Sequence, residues 1–128
     1  MAFTKTLRVQ VDGGGEGISA EKSYSGGSNP RLSEVIPVTQ TNLELAFAMA
    51  LTGLKLLVIT ATCAMTVKTN NASTPDDTLP LIANSPYVWT EDSLDACLIT
   101  AAITALFVTT GEGITGTLSI EAITDVTP

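Results

Sequence analysis

The stretch Leu54-Lys55-Leu56-Leu57-Val58-Ile59-Thr60-Ala61-Thr62-Cys63-Ala64-Met65-Thr66-Val67-Lys68-Thr69 decides the fold. Residues 56–62 and 65–69 are rich in β-branched side chains, whose stiff χ1 suits a pleated sheet better than a helix. A hydropathy scan would pause here, because 45–65 is nearly continuous apolar sequence. Lys55 near its middle would cost about 2.5–3.5 kcal/mol at a bilayer centre. Gly53, several threonines and Glu44 at the border argue the same way. The stretch reads as two buried strands joined at Gly53, not as a membrane span.

Upstream, Leu43, Leu45, Phe47, Met49 and Leu51 alternate with Glu44, Ala46, Ala48 and Ala50. Leu, Ala, Met and Glu favour a helix by propensity, whereas alternation of large and small residues favours a strand packed on one face. Both readings stand, with the strand ahead. Residues 32–38 form a further strand candidate, which Pro37 places at an edge or bulge. At the start, Leu7, Val9 and Val11 alternate with Arg8 and Gln10, so 4–12 reads as a strand and not as a secretory leader. Gly and Ser then dominate 13–30, with Tyr24 as the single aromatic. That segment is expected to be an arm or long loop that orders against a neighbour.

Downstream, 70–77 is a turn by composition. Strands are predicted over 78–83, 87–90, 96–100, 105–109 and 117–123, with Gly111-Glu112-Gly113 as a hairpin turn between the last two. Eight to ten short strands, frequent turn signals and no βαβ spacing give one all-β domain over 1–128, an antiparallel sandwich or barrel. Twenty threonines suit solvent-facing sheet positions.

The chain has 128 residues, 45% hydrophobic and 15% charged, with net charge −7. Six Lys plus Arg, none clustered, cannot make the basic footprint of a nucleic-acid binder. Histidine is absent, which removes His-dependent nucleophile systems and His-bearing zinc sites. Cys63 and Cys97 sit in apolar surroundings and read as free thiols used as small hydrophobes. Asp76-Asp77 and Glu91, Asp92 and Asp95 are the two carboxylate clusters. They read first as turn and solvent-facing groups, with a loose calcium site or a pair of catalytic acids as rivals. Gly13-Gly14-Gly15-Glu16-Gly17 lacks the ending of a phosphate loop, and Asn71-Ala72-Ser73 is a sequon without a secretion context. Catalytic residues, cofactors and metals are therefore expected to be none. Trp89 in Pro86-Tyr87-Val88-Trp89-Thr90 reads either as a sheet-packing aromatic or as an interface anchor.

In the second half, several stretches resemble a recurring pattern in virion structural proteins of tailed bacteriophages. They are Val67-Lys68-Thr69-Asn70, Pro75-Asp76-Asp77-Thr78-Leu79 with Leu81, Tyr87-Val88-Trp89, Leu106-Phe107-Val108-Thr109, Leu118-Ser119-Ile120 and Asp125-Val126-Thr127-Pro128. Residues 97–102 depart from the pattern by being more apolar. The resemblance implies a capsid decoration (cement) protein, an antiparallel β-sandwich of jelly-roll kind with an extended N-terminal arm. Its implied partners are the major capsid protein and copies of itself, most simply as a homotrimer. Its place would be the capsid surface, after assembly in the host cytoplasm. Tyr24, Tyr87 and Trp89 are the aromatics expected at contacts. A tail, collar or head-fibre component is the alternative, and a carbohydrate-binding module the third class.

Overall fold

The computed structural model describes residues 3–11, 17–37, 39–111, 113 and 115–125. It holds ten strands and, among the described residues, no helix. They are β1 (Phe3–Val11), β2 (Ile18–Gly26), β3 (Arg31–Ile36), β4 (Leu43–Leu45) and β5 (Leu54–Ala61). After these come β6 (Met65–Thr69), β7 (Thr78–Leu81), β8 (Tyr87–Thr90), β9 (Leu106–Thr110) and β10 (Gly116–Thr124).

Two antiparallel four-stranded sheets, ordered β3-β10-β5-β8 and β4-β9-β6-β7, face each other. From β3 to β10 the chain crosses between sheets at every step except β6 to β7, which pair within one sheet, in the pattern of two interlocked Greek keys. This is the jelly roll. Alternation explains the packing. In β5, Leu57, Ile59 and Ala61 point inward, as do Met65 and Val67 of β6, Leu106 and Val108 of β9, and Leu118, Ile120 and Ala122 of β10. Each large aliphatic buried this way contributes about 1.5–3 kcal/mol of transfer free energy.

Three expectations need correcting. The Gly111–Gly113 link does not close a hairpin, because β9 pairs with β4 and β6 while β10 pairs with β3 and β5. The link instead carries the chain from one sheet to the other. Residues 96–100 are irregular, not a strand. Residues 43–51 are neither a helix nor a full strand: three residues form β4, and beyond them only Met49 bridges to Ile103. Alternate burial nonetheless persists there, with Phe47 and Met49 inside and Ala46, Ala48 and Ala50 outside.

The two segments that lack ladders are held by side chains. Asn70, at φ 68°, donates to Asp76 Oδ2 (2.6 Å) and the Ala102 carbonyl (2.8 Å). Its Oδ1 accepts from the Thr104 amide and hydroxyl at 2.7 and 3.0 Å. Asp77 accepts from the Thr100 amide and hydroxyl, each at 2.8 Å. Loop 91–105 is thereby tied to turn 70–77, where polar side chains replace the missing ladder.

Outside the sandwich, β1 and β2 pair over nine residues, from Phe3↔Gly26 to Val11↔Ile18. Within the segment expected as a Gly/Ser arm or loop, residues 18–26 are therefore a strand. The rest of that expectation, at 13–16, lies outside the described residues.

Candidate interaction surface

The hairpin has two unlike faces. Cross-strand partners share a face, so Thr4 and Ser25, Thr6 and Ser23, and Arg8 and Glu21 lie together. The first two pairs join hydroxyl to hydroxyl at 2.7 and 2.8 Å, and Arg8 Nη2 meets Glu21 Oε2 at 2.9 Å. That face is polar and self-satisfied. The opposite face carries Leu7, Val9, Val11, Ile18, Ala20 and Tyr24, with Lys5 and Lys22 among them.

Near its base this second face lies on the outer surface of the β3-β10-β5-β8 sheet. Tyr24 is 5% exposed and packs with Leu56 and Ile123, beside Leu7 and Val58. Gly26 fits because it has no side chain: a Cβ there would sit 2.4 Å from the Thr124 carbonyl oxygen. Lys5 pairs with Glu121 at 2.8 Å. Lys22 Nζ lies 2.5 Å from Asp92 Oδ2, which also accepts from the Tyr24 hydroxyl at 3.1 Å. These two donors, Lys22 first, hold the Asp92 carboxyl below its ordinary pKa, and Asp92 in turn raises that of Lys22.

These contacts step across the sheet, from β10 (Gly26) to β5 (Tyr24) to the turn after β8 (Lys22). The hairpin therefore crosses the strands, and its outer end passes the β8 edge. There Val9, Val11 and Ile18 are 49, 59 and 70% exposed. Behind the hairpin, a groove of about 590 Å³ opens between β1 and the sheet, flanked by Leu7, Arg31, Val58 and Ser119.

A second apolar surface occupies the corner where β8 meets loop 91–98. Leu94 is fully exposed and Leu98 is 53% exposed; Ile82 shares a cleft with Leu98, and Val88 one with both leucines. A cleft of about 500 Å³ lies among Val88, Leu94 and Leu98, with Tyr87 and Trp89 on its wall. The β8 edge is itself capped: Thr90 N–H donates to Ser93 Oγ and its carbonyl accepts from Ser93 N–H, both at 2.9 Å.

The three aromatics expected at contacts fall into two places. Tyr24 is buried under its own hairpin, so in one chain it is a latch and offers no exposed contact surface. Tyr87 and Trp89 stand opposite Ile59 and Leu57, on the inner face, and pack half-buried against the core. Trp89 Nε1 donates to the Asp95 carbonyl (3.0 Å), and the Leu98 amide donates to the Tyr87 hydroxyl (2.9 Å). Burial raises the Tyr87 pKa, with the hydroxyl's contact to Cys97 adding to it and the Leu98 amide opposing it. Both rings hold the loop that carries Leu94 and Leu98.

Asp76, Asp77 and Asp92 are taken up as hydrogen-bond acceptors, and the described residues contain no group of three or more side chains that could hold a metal ion. Cys63 and Cys97 are free thiols. Asn71 of the sequon folds back, its Oδ1 accepting from the amides of Ser73 and Thr74 at 2.8 and 3.0 Å. Sequence reading missed the hairpin's apolar face. Its signal was present in Ile18, Ala20 and Tyr24 alternating with Ser19, Glu21, Ser23 and Ser25, masked by the serines.

The chain matches no family model, no curated protein and no solved structure.

Proposed function

We propose that this chain is a structural, non-catalytic component of a tailed-phage particle. Its role is to decorate the capsid from outside, clamping the major capsid protein of neighbouring positions and contacting copies of itself, most simply as a trimer. One observation carries the reading: a jelly-roll body bears a nine-pair hairpin whose apolar face outruns the body that supports it. A clamp needs such a pairing of rigid core and reaching arm. The fold by itself is shared by capsid proteins, lectins and cupins, so it carries no function alone. The resemblance of the second half to virion proteins weighs the choice, and acidity adds solubility and disfavours adhesion to packaged DNA. Repeated weak contacts over a shell would resist internal pressure through avidity.

The described residues speak against a carbohydrate-binding module. Phe3 is the one large exposed aromatic among them, whereas Tyr87 and Trp89 face the core. Among the described residues, no row of rings is presented to a sugar.

Co-sedimentation with empty heads of the phage that encodes the chain tests the proposal. Saturable, stoichiometric pelleting is the expected result. A protein that stays in the supernatant with heads but pellets with tails would shift it to a tail, collar or fibre role. Binding to neither would overturn the virion reading.

A further inference from the structure

We propose that the open edge of β1 takes up a further strand: an extended peptide segment of a partner protein, carrying an acidic side chain that faces Arg31. The site is independent of the phage reading, because it belongs to the isolated chain.

Two rows of side chains cross the outer face of the β3-β10-β5-β8 sheet beside the hairpin. Register sets Arg31, Glu121 and Val58 in one row and Ser33, Ser119 and Thr60 in the next. β1 covers the first row, since Lys5 pairs with Glu121 and Leu7 joins the small cluster that Val58 also packs against. The hydroxyl row is left as the floor of the groove of about 590 Å³.

One wall of that groove is a strand edge. Lys5, Thr6 and Leu7 all line it, although successive side chains of a strand point to opposite faces. What three consecutive residues share on one side is their main chain. β1 pairs with β2 alone, so on the groove side its N–H and C=O groups meet no other strand among the described residues. An edge of this kind is completed by an extended backbone. A small molecule could meet the hydroxyls of the floor but would leave that row of main-chain groups unpaired. From β3 to β5 the groove crosses two strand spacings of about 4.8 Å, a length that about three residues of extended chain fill at about 3.3 Å each.

Charge selects among peptides. Glu121 is taken by Lys5, whereas Arg31, directly opposite Glu121 in the ladder, makes no side-chain hydrogen bond or ion pair among the described residues. Two cations therefore face one carboxylate, a local positive site in a chain of net charge −7. A guanidinium engages a carboxylate in a bidentate fork, so an added strand with Asp or Glu at its β3 end satisfies Arg31. Two residues along, the same face of that strand lies over Ser119 and Thr60, where Ser or Thr makes hydroxyl contacts.

The test presents a pool of N-acetylated, C-amidated pentapeptides of Val, Thr, Ser, Asp and Lys to the immobilised full chain, with retained peptides read by mass spectrometry. Peptides with one Asp are expected to be enriched, and their Asn analogues to bind about tenfold more weakly. Arg31→Gln should remove that preference. Ser119→Phe fills the floor and should remove retention; thermal melts check folding, and Ser33→Phe is the second filling variant. Alternate N-methylation reads the backbone directly. Methylation in one phase should prevent binding and in the other leave it, because only alternate N–H groups of an added strand face β1. No enrichment over Ser119→Phe, an Asp preference that survives Arg31→Gln, or equal effects of the two methylation phases overturns the inference. So does a wild type that is dimeric where Ser119→Phe is monomeric, which would assign the edge to a second copy. Head pelleting of wild type tests the phage reading separately, so either idea can fail without the other.

Discussion

Replacing Tyr24 by Ala should release the hairpin while leaving the sandwich folded. The ring is 5% exposed and, with Leu56 and Ile123, forms the small cluster that is separate from the main core. Truncating a buried aromatic to Ala costs about 3–5 kcal/mol. Here the cost falls on docking, because no residue of the main core touches that ring's cluster. A two-stranded hairpin without support is at best marginally stable in water. The latch loss is thus comparable to the whole docking free energy. Hydrogen exchange read by peptide should then show amides of 4–8 and 19–25 exchanging about 100- to 4,000-fold faster, since each 1.4 kcal/mol is a factor of ten. Amides of β5, β6, β9 and β10 should keep their protection. If the hairpin's exchange is unchanged, Tyr24 is not the latch. If all ten strands lose protection together, the hairpin is not a separate unit, and the division into body and arm is wrong.

The Asp92 latch gives a pH dependence. Its folded pKa is depressed, so its contribution is present above the unfolded value near 3.9 and is lost as pH falls through the folded value. Lys22 is raised, so its share is complete below about 10.5 and disappears only as pH rises through its folded value. Hairpin exchange should be flat from pH 5 to 8 after correction for intrinsic rates, rise in acid, and lose that acid step in Asp92→Asn. Asn70→Ala should lower global stability by about 2–4 kcal/mol in urea titrations, through a strained φ and lost bonds to the 102–104 segment. Asn70→Gly should recover only the backbone part. Gly53→Ala, at φ 78° with a Cβ 2.4 Å from the Asp125 carbonyl oxygen, should cost about 1–3 kcal/mol or more by the same assay. Trp89→Ala should destabilise the monomer by about 2–4 kcal/mol and speed exchange in 91–98, because the ring packs on the core and holds the Asp95 carbonyl.

The all-β sandwich was legible because β5, β6, β8, β9 and β10 each alternate cleanly or carry β-branched runs. Their identity follows from local chemistry. Their partners do not: nothing near Gly111–Gly113 says that β9 and β10 belong to opposite sheets, since both alternate and only distant strands choose between them. Residues 43–51 show the opposite case. Their period of two correctly marked Phe47 and Met49 as inward, but a ladder also needs a regular partner, and the facing segment near Ile103 is held by Asn70 and Asp77 instead. The hairpin was hidden for another reason. Most of β2 is solvent-exposed, so its strand pattern is written in Ser, Glu and Lys, which composition equates with loop. Tyr24 was noticed as an isolated aromatic, but its burial depends on Leu56 and Ile123, far along the chain.

Ser93 has a consequence at high crowding. An open outer strand is a template on which further chains can stack backbone to backbone, and proteins held at high local density are the most exposed to that hazard. By occupying both the amide and the carbonyl of Thr90, Ser93 shortens the templating edge of a four-residue strand to Val88. A chain arriving at that edge finds only the Val88 amide and carbonyl to pair with, too short a row to template a strand, so crowded copies are left to meet by side chains rather than by backbone.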